Sequence, residues 1–127
     1  MTRLALIAHD DEKPEMIRLV RDWEDLLSRF DLVATGTTGK RINESSSLTV
    51  ERKESGPYGG DVMIGAEVAA GDIDAVIFLR DPLTAQPHEP DISALLRICD
   101  VHDTPLLTTS TGAEYLLSGL AREVEDT

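Results

Sequence analysis

Two histidines in this chain stand among carboxylates: Asp10 and Asp11 follow His9, and Glu89, Pro90 and Asp91 follow His88. Imidazole changes charge near neutral pH, so such clusters suit proton transfer to and from a bound molecule. A third stretch, Ser55-Gly56-Pro57-Tyr58-Gly59-Gly60-Asp61, gathers three glycines, a proline and a carboxylate into seven residues. Glycine lets a ligand approach the backbone amides closely, and proline sets the turn. An apolar helical stripe follows, made of Val62, Met63, Ala66, Val68, Ala69 and Ala70, which puts Asp61 at or just before a helix N-terminus. From these residues alone a helix cap and a reactive group both remain open, since Asp is a preferred N-cap and the orphan amides there favour anions. The fourth stretch, Thr35-Gly36-Thr37-Thr38-Gly39, leaves a similar choice. Its hydroxyls and amides can cap the next helix or cradle an oxyanion. Taken together, the four stretches suggest acid–base work on a small phosphorylated molecule.

Other chemistries are less well served. His9 and His88 with nearby Asp residues could hold a divalent cation, but neither sits in a recognised ligand spacing, so no metal is expected. Ser55 lacks the strand-to-helix elbow of a serine nucleophile. His102, beside Asp103 at a helix end, reads as a solvated capping residue. Cys99 is the single cysteine, which rules out an internal disulfide, and its neighbours Leu95, Leu96 and Ile98 place it as a buried structural thiol.

The elements that must position these residues follow from hydrophobic patterning. Residues 4–8 form a continuous apolar run, as in a central strand buried on both faces. Further strands are expected at 30–34, 48–52, 74–79 and 105–108, the third of them near a sheet edge. Helical spacing predicts helices over 12–29, 40–44, 61–70, 91–101 and 111–121, with Trp23 on the core side of the first and Gly71 closing the third. The segment from Arg80 to Asp91 reads as a long loop broken by prolines, a kind that usually carries function. Alternating strands and helices predict an α/β fold, a doubly wound five-stranded parallel sheet with helices on both faces. In that Rossmann-type architecture ligands bind beyond the carboxyl ends of the strands, where all four stretches fall.

The 127 residues predict a single domain spanning 1–127, without repeats and without an apolar run long enough to cross a bilayer. Met1-Thr2-Arg3-Leu4 leads directly into the first strand, with no cleavage site of a signal peptide, so a soluble cytoplasmic protein is expected. There are 24 acidic and 12 basic residues, a formal net charge of −12, spread along the chain. Such a field repels nucleic acid and acidic lipid. An acidic surface of this kind resembles that of halophiles and suits a high-salt cytoplasm, where self-repulsion is screened.

Several spaced motifs resemble the methylglyoxal synthase family over nearly the whole chain. They are Ala8-His9-Asp10 with Lys13, Thr35-Gly36-Thr37-Thr38-Gly39, Ser55-Gly56-Pro57 with Gly59-Gly60-Asp61, Asp81-Pro82-Leu83, and Pro87-His88 with Pro90-Asp91. The resemblance implies cofactor-free conversion of dihydroxyacetone phosphate to methylglyoxal and inorganic phosphate, in a homohexamer inhibited by phosphate. It implies that Asp61 is the catalytic base and that His88 polarises the carbonyl and shuttles protons. His9, Asp10 and Asp91 are implied as supporting polar residues. Lys13, Thr35, Gly36, Thr37, Thr38, Ser55 and Gly56, with His9 and His88, are implied as substrate and phosphate contacts. Glu89 stands where a similar acid is common in the family. Bacterial members carry a longer tail with a basic residue directed to a neighbouring subunit's phosphate, whereas this chain ends Arg122-Glu123-Val124-Glu125-Asp126-Thr127. Two other readings start from the same residues. One is a non-catalytic effector-binding module like the regulatory domain of carbamoyl phosphate synthetase, and the other is an isomerase acting through the same enediolate.

Overall fold

The apolar run near the N-terminus becomes β1 (Arg3–Ala8), the middle strand of a sheet with both faces covered. A computed structural model describes residues 1–126; Thr127, the last residue of the acidic tail, lies outside the described residues. Strands β2 (Asp31–Ala34), β3 (Glu51–Arg52), β4 (Ala75–Leu79) and β5 (Leu106–Leu107) join β1 in the order β3-β2-β1-β4-β5. Every pairing is parallel. Leu4 faces Leu32 on one side of β1 and Ala75 on the other, so the register brings the carboxyl ends of β1, β2 and β4 to the same edge.

Among the described residues six α-helices cover the sheet: α1 (Lys13–Asp22), α2 (Glu24–Leu27), α3 (Gly36–Ser45), α4 (Gly60–Ala69), α5 (Glu89–Val101) and α6 (Ser110–Glu125). Successive strand residues point to opposite faces, so β1 feeds two cores. Leu4, Leu6 and Ala8 pack with Met16, Leu19, Ile42 and Leu117 on the face of α1, α3 and α6. Ala5 and Ile7 pack with Ile64, Val68, Ile92 and Leu95 on the face of α4 and α5. Each such large side chain, fully buried, contributes about 1.5–3 kcal/mol against its exposed state. The chain winds outward from β1 to β3 on the first face, then crosses to the second face for β4 and β5. A fixed crossover hand requires that the direction of winding and the face covered change together, and the change leaves a crevice beyond β1.

Several boundaries differ from the sequence expectation. The helix expected over 12–29 breaks at Trp23, whose backbone (φ −113°, ψ 20°) leaves the helical region. That turn lets Trp23 and Leu26 lie half-buried against the core. The strand expected over 48–52 keeps only Glu51 and Arg52, because the Asn43 side chain accepts from Val50 N–H (2.8 Å) and donates to Val50 O (3.2 Å). The helix expected at 40–44 begins at Gly36, so most of the threonine stretch is a first helical turn and not a loop. Likewise α5 starts at Glu89 with Pro90 in its first turn, where a missing N–H costs nothing, and the preceding loop shortens to 80–88. The last helix runs on to Glu125, so the acidic tail is helical over most of its length. Cys99 is buried as expected, and burial raises its thiol pKa to about 11. No helix among the described residues is long and apolar enough to cross a membrane.

Candidate active site

The carboxyl ends of β1, β2 and β3 and the loop after β4 surround a cavity of about 60 Å³ that opens to solvent. His9, Asp10 and Lys13 come from the end of β1, and Thr35 and Thr37 from the end of β2. Ser55, Gly56 and Asp61 follow β3, while His88 arrives from the start of α5.

Asp61 is the second residue of α4 and is 0% exposed. The N-cap is Gly59, in a left-handed conformation (φ 96°), and no side chain caps this helix. Both Asp61 carboxylate oxygens are buried without a hydrogen-bond partner. The open question of cap against reactive group is therefore answered on one side: Asp61 gives no oxygen to the helix amides. The His88 imidazole approaches it, with Nε2 3.7 Å from Oδ2, too long for a hydrogen bond. Burial raises the Asp61 pKa above the ordinary carboxylate value, helped by Asp91 and opposed by His88. The glycines set this position. A Cβ at Gly60 would overlap the Glu54 carbonyl oxygen, and Gly60 N–H donates to Ser55 O at 3.1 Å, so α4 begins pressed against the chain leaving β3.

The two imidazoles stand edge to face, 6.0 Å between centroids. His9 Nδ1 accepts a hydrogen bond from the backbone N–H of Asp81 at 2.8 Å. An accepting Nδ1 carries no proton, so the neutral ring bears its proton on Nε2. That Nε2 is buried and has no protein acceptor, which leaves a donor directed at whatever fills the cavity. Burial lowers the His9 pKa first, and the charges of His88, Arg80 and Lys13 lower it further against Asp81. His88 is held by close packing on backbone. A Cβ at Gly56 would lie 2.5 Å from His88 Nε2, so only glycine admits the ring.

Lys13 and the first turn of α3 complete the wall. Lys13 is buried, and its Nζ donates to Ala8 O and to Asp10 Oδ1, each at 2.8 Å. Thr35 is the N-cap of α3 by backbone, yet its hydroxyl does not cap, and the amides of Thr37 and Thr38 have no helical acceptor. The structure divides the sequence-predicted residues unevenly. Gly36, Thr38 and Asp91 are not on the cavity wall. Thr38 is tied instead to β1, where its Oγ1 accepts from Ala8 N–H (3.3 Å) and reaches Ala8 O (3.3 Å). Gly36 N–H donates to Glu54 O at 3.1 Å, and a Cβ there would press on Lys53 and Ser55 at 3.0 Å. Asp91 lies in the first turn of α5 and reaches the site only through its charge on Asp61. Asp10 is on the rim, exposed, with its pKa lowered by its bond to Lys13. Sequence reasoning missed Gln86 and Ile7 on the wall. Gln86 lies in the proline-broken loop, which was flagged as functional, but no spacing singles it out. Among the described residues no group of three or more His, Cys, Asp or Glu side chains is arranged to hold a metal ion.

Comparison with known proteins bears on this arrangement. A family model described as an MGS-like domain matches residues 15–108. A protein named methylglyoxal synthase from Clostridium perfringens is 60% identical over 118 residues, covering 93% of this chain and 99% of its own length. The chain belongs to the methylglyoxal synthase family. A second member of the methylglyoxal synthase family, from Burkholderia lata, is 57% identical over 124 residues, 98% of this chain and 95% of its own length. That coverage takes in His9, Asp10 and Lys13, which precede the family-model match. The crystal structure of methylglyoxal synthase from Elizabethkingia anophelis superposes with a TM-score of 0.87 at 44% identity, covering 92% of this chain and 77% of that one. The doubly wound five-stranded sheet is thus the fold of the methylglyoxal synthase family.

Proposed function

We propose that this chain is a methylglyoxal synthase, a carbon–oxygen lyase that converts dihydroxyacetone phosphate to methylglyoxal and inorganic phosphate without a cofactor. The observation that carries the reading is Asp61: a buried carboxylate on the cavity wall, free of donors on both oxygens and 3.7 Å from the His88 imidazole. The resemblance gives Asp61 as the base and Asp10 and Asp91 as supporting residues, and the surroundings of the three carboxylates support that division. Asp10 is exposed, paired with Lys13 and made less basic; Asp91 is off the wall; Asp61 is desolvated and made more basic. Full-length relatives carrying the same name support the assignment.

In this mechanism the phosphate group lies against Lys13, the hydroxyls of Thr35, Thr37 and Ser55, and the backbone at Gly56. Asp61 removes a proton from the hydroxymethyl carbon next to the ketone. The C–H electron pair becomes the enediolate double bond, and negative charge moves to the carbonyl oxygen. His9, neutral and with its Nε2–H unpartnered, donates to that oxygen. The resemblance assigns carbonyl polarisation to His88; the unpartnered His9 Nε2–H supports giving His9 a share, with His88, 3.7 Å from Asp61, moving protons between the two enediolate oxygens. The enediolate electrons then expel phosphate: the carbon–oxygen bond breaks, phosphate leaves with the pair, and the resulting hydroxypropenal tautomerises to methylglyoxal. Expulsion requires that bond to stand roughly perpendicular to the enediolate plane, and the glycine-limited wall restricts the angles available.

The test is incubation of the purified protein with dihydroxyacetone phosphate at low and high salt, with methylglyoxal and free phosphate measured together. Equimolar products are expected. Release of neither, with a phosphate analogue still bound, would make the chain an effector-binding module. Formation of glyceraldehyde 3-phosphate without phosphate release would make it an isomerase. The same reading extends to a cytoplasmic homohexamer inhibited by its phosphate product, which light scattering and inhibition kinetics test.

A further inference from the structure

Arg80 follows β4 directly, is not on the cavity wall and has no part in the mechanism above. Its guanidinium carbon lies 6.0 Å from the centre of the Phe78 ring, and its Nε is buried without an acceptor. The fully buried Phe78 ring in turn meets His9 edge-on, with centroids 5.2 Å apart and planes at 81°. The next residue, Asp81, donates its N–H to His9 Nδ1. One short segment therefore supplies the ring against which His9 rests, the amide that selects its tautomer and a permanent positive charge close by.

We propose that Arg80 is a positioning residue for His9: stacked on Phe78, its charge keeps the imidazole a neutral Nε2–H donor toward the cavity. Protonation of His9 would set a new Nδ1–H against the Asp81 N–H, and a neighbouring guanidinium adds Coulomb repulsion in a poorly solvated setting. The charged and titratable groups that bear on His9 come from four places: Asp10 from the turn after β1, Lys13 from α1, Arg80 and Asp81 from the loop after β4, and His88 from the start of α5. Their carboxylates are largely occupied elsewhere. Asp10 is bound to Lys13 Nζ, and Asp81 Oδ1 accepts from Leu83 N–H at 3.1 Å. Lys13 is likewise neutralised by Asp10, which leaves Arg80 as the less compensated fixed cation near His9. Cation–ring stacking on Phe78 holds that charge in place.

The inference rests on the proposed reading of His9 as a neutral donor to substrate, and it is tested by a measurement that needs no turnover. Imidazole nitrogen chemical shifts of the full chain are followed against pH for the wild type, Arg80→Met and Arg80→Lys, at low salt and in molar KCl. Arg80→Met is expected to move the His9 protonation midpoint to higher pH, Arg80→Lys to restore it, and molar KCl to shrink the difference. In parallel, the acid limb of kcat/KM for dihydroxyacetone phosphate should move to higher pH in Arg80→Met, with the alkaline plateau unchanged and several-fold loss on the acid side. Superimposable His9 titrations in the wild type and Arg80→Met would overturn the proposal. So would an Arg80→Lys titration identical to that of Arg80→Met, which would assign the effect to packing. If the wild type makes no methylglyoxal, the functional reading fails, while the titration still decides what Arg80 does to His9.

Discussion

Asp61→Asn replaces a buried carboxylate by an amide of the same shape, and the two possible roles of Asp61 respond to it differently. At a capping position the change would be nearly neutral, because Asn caps a helix about as well as Asp. Here neither oxygen has a donor, the side chain is 0% exposed, and His88 at 3.7 Å is beyond hydrogen-bond reach. An unpartnered buried polar group costs about 1–3 kcal/mol, and a charge costs more. Asparagine also lacks partners there but carries no charge, so the variant should be more stable than the wild type near neutral pH by about 1–2 kcal/mol. For a chain of this length that corresponds to a rise in Tm of roughly 3–8 °C. The pH dependence has a definite sign. The folded pKa of Asp61 lies above its ordinary 3.8, so its stability contribution is complete below that value and is lost as pH rises through the folded pKa. The stability gap between variant and wild type should therefore open with rising pH and close on acidification. Turnover should fall by about 10²–10⁴-fold, the usual contribution of a general base, while a phosphate analogue still binds. Thermal melts across pH in phosphate-free buffer, paired with kcat for dihydroxyacetone phosphate, measure both. A variant that keeps wild-type kcat, or that is destabilised equally at every pH, would refute the reasoning.

Three other substitutions or conditions test neighbouring parts of the argument. Gly56→Ala puts a Cβ 2.5 Å from His88 Nε2, so the ring must move; kcat/KM should drop about 10²-fold, the scale of a 1 Å misplacement, and a crystal structure should show His88 displaced. Lys13→Met removes the one Lys or Arg side chain on the described cavity wall together with its bonds to Ala8 and Asp10. With hydrogen bonds to charged groups worth about 1.5–3 kcal/mol, KM and the phosphate inhibition constant should both rise by at least tenfold, and an unchanged inhibition constant would place the phosphate elsewhere. With a net charge of −12, thermal stability should climb as KCl is raised toward molar concentration, and a flat Tm would mean that surface repulsion is not limiting.

Much of the architecture is legible in the chain because it depends on local pattern. β1 and β4 read clearly, since a strand covered on both faces is apolar at every position. The clustering of chemistry at strand ends was equally visible, because glycines, prolines and hydroxyls interrupt the pattern there. β3 was overestimated because a side chain distant in register, Asn43, takes the backbone of Val50. Trp23 kept helical spacing in sequence while its backbone left the helix, as periodicity does not report φ and ψ.

The sequence by itself determined the fold class, the family and the set of residues that could meet a phosphorylated substrate. The surroundings that set their basicity and proton positions are visible only in three dimensions. Asp10, Asp91 and Asp61 differ because the first is exposed and bound to Lys13, the second is off the wall, and the third is buried among groups that offer it no donor. His9 acquires its tautomer from an amide 72 residues away, and Arg80 approaches it through a ring on β4. Basicity and proton position depend on solvent exclusion and on neighbours brought together by folding, and neither is a property of residue type or spacing.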